Sequence, residues 1–226
     1  MANTRSEVGT IPAVSEDEYK LHSLKFWVFR SDTHEILAFL DLSEPDFPAP
    51  GSIAYYNVPI STSFTQESPL PTVDVFALAN QAAAGLGTLT RDTGWDALHE
   101  LSFGGSNFGR DPLVRTPSAD TGLPMSAMAL EVSVQGESPE FWIDPVQLIR
   151  MVSRMRFVFC RMADDDVSVE SVTVNGNFIL VTEHVFSLDG GLDIVVSDGY
   201  EEEPFSVDGP TGALALNETP EKLIYA

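Results

Sequence analysis

Leu24-Lys25-Phe26-Trp27-Val28-Phe29 decides the fold class of this chain. In an extended strand, alternate residues face opposite sides, so Leu24, Phe26 and Val28 share one face, and Trp27 and Phe29 the other. Both faces are apolar, which a solvated edge strand cannot afford, so the segment belongs in the middle of a two-layered β structure. After the turn-forming Ser31-Asp32-Thr33-His34, residues Glu35 to Leu42 read as its hairpin partner.

Working outward, Pro45, Pro48, Pro50 and Gly51 make a loop, and Ser52 to Ile60 reads as a further strand. Thr72 to Leu78 reads as a short buried strand ending at Ala79-Asn80, and Gln81 to Leu89 as one or two helical turns. Thr93 to Leu101 is a second helical segment: Trp95, Leu98 and Leu101 recur at helical spacing, with Asp92 or Thr93 placed to cap. Residues 102–122 are rich in Gly, Ser, Asn and Asp and predict a long surface loop. Strand patterns return at Ser126 to Gln135, Phe141 to Ile143, Val146 to Met162, Val167 to Val174, Phe178 to Phe186 and Leu192 to Val196. Asn175-Gly176 predicts a tight hairpin between the Val174 and Phe178 runs. About seven to nine short strands with one or two short helices predict an all-β sandwich.

Three regions follow: a flexible leading segment 1–20, the sandwich over 21–190, and an acidic terminal segment 191–226 that serves as a donor strand or opens a second domain. The apolar stretches Ala213-Leu214-Ala215-Leu216 and Leu223-Ile224-Tyr225 are the conspicuous features of that last segment.

Thirty-four acidic against 12 basic residues give a net charge of −22, which argues against nucleic acid and anionic membrane surfaces as partners. With 43% apolar residues the chain still has the material for a core. The single cysteine, Cys160, rules out an internal disulfide framework and reads as a buried, inert thiol. No apolar run reaches the ~18 residues of a membrane helix. The first 25 residues show no signal peptide, so the expectation is a cytoplasmic protein or a mature chain carrying an added methionine.

Reactive chemistry is sparse. His22, His34, His99 and His184 are scattered, and no HExxH, GxSxG, phosphate loop or dinucleotide fingerprint occurs. Asp164-Asp165-Asp166 could supply oxygen ligands to calcium, but an acidic turn between strands produces such a cluster by chance. The chain therefore predicts no catalytic residue, no metal and no cofactor.

Four segments together resemble the fimbrillins, the type V pilus subunits of Bacteroidales, chiefly their N-terminal domain. They are Leu24 to Phe29; Val75-Phe76-Ala77-Leu78-Ala79-Asn80; Leu123-Pro124-Met125-Ser126-Ala127; and Leu148-Ile149-Arg150-Met151-Val152-Ser153-Arg154-Met155. The resemblance implies a transthyretin-like sandwich and a structural or accessory subunit of an extracellular fimbria, anchored at the outer membrane in precursor form. It further implies polymerisation with other fimbrial subunits by β-strand exchange, after an arginine-specific cut near the start. Arg5 is then the candidate processing site, and Ala213, Leu214, Ala215, Leu216, Leu223, Ile224 and Tyr225 are the donor-strand candidates. A second reading is a cell-surface module that binds a glycan or host protein through the 102–122 loop, with Phe103 and Phe108 as contacts and Trp95 expected in the core.

Overall fold

The computed structural model describes residues 20–43, 47, 53–60, 64, 70–84, 86–104, 122–137, 140–151, 154–161, 165–174, 182–186, 205–210, 212–214 and 221–225. The strands are β1 (Ser23–Arg30), β2 (Ile36–Ser43), β3 (Val73–Ala79), β4 (Ser102–Gly104), β5 (Met125–Val132), β6 (Gln135–Glu137) and β7 (Glu140–Trp142). They continue as β8 (Ile149–Arg150), β9 (Arg154–Val158), β10 (Ser171–Val174), β11 (Thr182–His184), β12 (Phe205–Asp208) and β13 (Glu221–Tyr225). One short helix, α1 (Trp95–His99), and a 3-10 turn, Gln81–Ala84, complete the described elements.

An antiparallel five-stranded sheet in the order β2-β1-β3-β5-β8 dominates. β1 lies inside it, with Trp27 opposite Phe39 on β2 and Phe76 on β3. That position explains its two apolar faces. Trp27 and Phe29 join Phe76, Leu78, Met128 and Met151 under Leu98 of α1, Leu89, Val185 and Phe186. Leu24, Val28, Val75 and Ala77 point the other way, beneath Phe64 and the half-buried Val58, Ile60, Ile143 and Val146. Phe76 meets Phe29, Trp95 and Phe186 edge-on, at ring-centroid distances of 5.8, 6.0 and 5.1 Å. Such contacts add to burial alone.

The remaining described strands form two-stranded ribbons: β4 with β11, β6 with β7, β9 with β13, and β10 with β12. The all-β expectation holds. The hairpin from Ser31 to His34 closes as read: the amide of Arg30 donates to the Glu35 carbonyl, and His34 takes a positive φ of 56°.

Three local expectations differ from the structure. Residues 53–60 form no strand; Pro59 removes a ladder donor, and the alternation breaks at Tyr56-Asn57. α1 starts from Gly94 with no side-chain cap, because the Thr93 hydroxyl accepts the Thr90 amide instead. The Asn175-Gly176 hairpin expectation lies outside the described residues; on either side of it, β10 pairs with β12, and β11 with β4. Cys160 is exposed, because β9 stops at Val158 and Phe159 takes the inward position.

Candidate functional site

Two buried polar side chains organise the ends of the central sheet. Asn80, 1% exposed, sits just past β3 with φ at +55°, a left-handed conformation that Asn adopts more readily than most residues. Its Oδ1 accepts the His22 amide at 2.8 Å, and its Nδ2 donates to the carbonyls of Lys20 at 2.9 Å and Leu123 at 2.8 Å. One side chain thus clips the segment entering β1 and the segment entering β5 to the end of β3. Gly122, at φ +63°, completes the clip, since a Cβ there would run into Asn80 Nδ2 and the Lys20 carbonyl.

Asp74, 3% exposed, sits in β3 where its register with β5 shifts. It accepts the Ser31 hydroxyl at 2.6 Å, the Trp95 indole N–H at 2.8 Å and the Glu131 amide at 2.8 Å. Three donors compensate its burial, as a desolvated carboxylate requires. They fasten the β1–β2 turn, α1 and the positive-φ Glu131 to one point. The Trp95 ring also stacks with His34 at 3.9 Å and with His99, four residues along, at 4.6 Å. Ser31 therefore bonds a carboxylate and not an imidazole, and the two histidines are held as packing. This constellation is a fastening. Among the described residues, no group of three or more His, Cys, Asp or Glu is placed to hold a metal.

The assembly candidates lie at the opposite end of the chain. Leu223, Ile224 and Tyr225 lie in β13, opposite Arg156, Met155 and Arg154 of β9. Ala213 bridges Ser168, and Leu214 is buried. The Leu214 amide donates to the Val167 carbonyl at 2.8 Å, and its own carbonyl accepts Arg161 Nη1 at 3.2 Å. Arg161 also pairs with Asp166 at 3.1 Å. Ala215, Leu216, Arg5 and Phe108 lie outside the described residues, while Phe103 is in β4 opposite Glu183. Within the five-stranded sheet, β8 pairs with Met125 and Ser126 of β5.

Sequence reasoning missed Asp74 and the two histidines around Trp95. The four-residue spacing of Trp95 and His99 was the available signal, since such neighbours meet on a helix. Asn80 was noticed as part of a motif, without its role as a clip.

No protein-family model matches the chain, and no curated protein matches it. Among solved structures, a candidate cell adhesion protein of Parabacteroides distasonis aligns at 14% identity and TM-score 0.54, over 97% of this chain and 66% of that one. The C-terminally truncated tip fimbrial protein Mfa3 of Porphyromonas gingivalis aligns at 17% identity and TM-score 0.49, over 93% of this chain and 64% of that one. The chain spans just under two thirds of the length of either. In fold, it is similar to this candidate cell adhesion protein, in agreement with the fimbrillin resemblance carried by the segments between Leu24 and Met155.

Proposed function

We propose that the chain is a structural or accessory subunit of a cell-surface fimbria, supporting adhesion and joining other subunits by β-strand exchange. The observation that carries this reading is the fold shared with the Parabacteroides protein over 97% of the chain. The state of β13 supports it. Among the described residues, β13 pairs with one neighbour, β9, in an isolated ribbon. Two-stranded ribbons are marginal in water, so a strand held on one side can exchange it for a groove that pairs both. β13, with the Ala213 to Leu216 stretch before it, is then the donor, and cleavage at Arg5 is the step that readies the acceptor. In this reading the precursor is anchored at the outer membrane; no helix among the described residues is long and apolar enough to cross one.

The test compares the full chain with one lacking residues 213–226, each nicked by trypsin in its leading segment, using size-exclusion chromatography and electron microscopy. Polymers are expected from the full chain alone. Equal polymerisation of the truncated chain, or none from either, rejects the mechanism.

A further inference from the structure

Three large aromatic residues among those described stand out into solvent: Tyr55, 83% exposed, Tyr56, and Trp142, 53% exposed. They come from two stretches far apart in sequence that pack onto one cluster. Val58 and Ile60 anchor the first, while Val134 and Ile143 flank the β6–β7 hairpin that carries Trp142; all four pack against the cluster of Val28, Ala38, Phe64, Val73 and Val75. The two stretches that carry the exposed rings therefore lie over the same face of the sheet. On the hairpin, Trp142 is opposite Gln135, whose Nε2 donates to Asp144 Oδ1 at 3.1 Å. Gly136 has φ +102°, and a Cβ there would lie 2.7 Å from Trp142 Cζ3. The indole thus lies against the bare backbone of Gly136, held in place with half its surface open.

We propose that this face, with Tyr55, Tyr56 and Trp142 as platforms and Gln135 and Asp144 beside them, binds neutral glycans. The proposal rests on the adhesion half of the reading above and assigns it a ligand class. Aromatic rings with amide and carboxylate neighbours match the alternating C–H faces and hydroxyl edges of a sugar, and rigid aromatics lose little entropy on binding. Charge selects among partners. Glu137, Glu140 and Asp144 are exposed around Trp142 in a chain of net charge −22, which disfavours sialylated or sulfated glycans and a second copy of the chain. Residues 53–60 carry no charge at all, so a basic protein partner would find no carboxylate on that half of the face.

The experiment applies the full chain to an array of neutral, sialylated and sulfated oligosaccharides, then titrates the best neutral hit by calorimetry. Trp142→Ala and the double variant Tyr55→Ala/Tyr56→Ala should each weaken binding roughly tenfold, while the thermal midpoint of the double variant stays unchanged. Binding confined to anionic glycans, no binding to any neutral one, or full affinity in both variants overturns the proposal. Loss of polymerisation in the double variant also overturns it, by making the face a subunit contact. Neutral-glycan binding by a chain that never polymerises upholds this proposal while sinking strand exchange.

Discussion

Replacing Asn80 by alanine should remove a large part of the stability of the fold. The side chain is 1% exposed, and it bonds the His22 amide and the Lys20 and Leu123 carbonyls. At about 1 kcal/mol net per hydrogen bond, the three together contribute roughly 3 kcal/mol. Alanine must also hold the φ of +55°, at about 1 kcal/mol more. The expected loss is about 4 kcal/mol, against a stability of about 5–15 kcal/mol for a domain of ordinary size. Glycine forfeits the same bonds but accepts the backbone conformation; its greater freedom in the unfolded chain returns part of that advantage. Asn80→Gly should therefore be destabilised by about 0.5 kcal/mol less than Asn80→Ala. Urea unfolding followed by tryptophan fluorescence reads both: at a slope of about 2 kcal/mol per molar, the alanine midpoint falls by about 2 M. A fall below about 0.5 M, or a glycine variant less stable than the alanine one, would refute the clip.

Other expectations follow from single contacts. Phe76→Ala should cost about 3–5 kcal/mol in the same assay, because the ring is fully buried among Phe29, Trp95 and Phe186. Trp95→Phe should cost about 1.5–3 kcal/mol, since it withdraws the indole donor from buried Asp74. Cys160 should react fully with Ellman's reagent in the native chain, and a protected thiol would contradict its exposure. The Asp32 carboxyl is held below its ordinary value, chiefly by the Arg30 side-chain hydrogen bond. Any stability from this pair is present above the ordinary carboxylate range and fades as pH falls through the lowered value. Because the pair is solvent-exposed at Asp32, Asp32→Asn should leave the urea midpoint at neutral pH unchanged.

The parts legible in the sequence were those with a period. The double apolar face of Leu24 to Phe29 identified an interior strand, and Trp95, Leu98 and Leu101 located α1, because burial imposes those spacings. The parts that stayed hidden depend on distant partners. Nothing beside Asp74 in sequence announces Ser31, Trp95 and Glu131, which the fold brings to it from 43, 21 and 57 residues away. Residues 53–60 misled through composition, since apolar character there supplies a cover for the sheet and an exposed aromatic face instead of a strand. The candidate assembly residues could be named from the resemblance, but only the pairing of β13 with β9 shows where that strand rests.

The most direct test of the central claim is to lock β13 in place. Met155 and Ile224 are Cα partners across the β9–β13 ribbon, at a spacing that suits a disulfide. In a Cys160→Ser background, Met155→Cys/Ile224→Cys should close within the chain on oxidation. Strand exchange requires the oxidised, locked subunit to stay monomeric after trypsin nicking and to polymerise once reduced. Equal polymerisation of the locked and reduced chains would show that β13 never leaves, and would contradict the account.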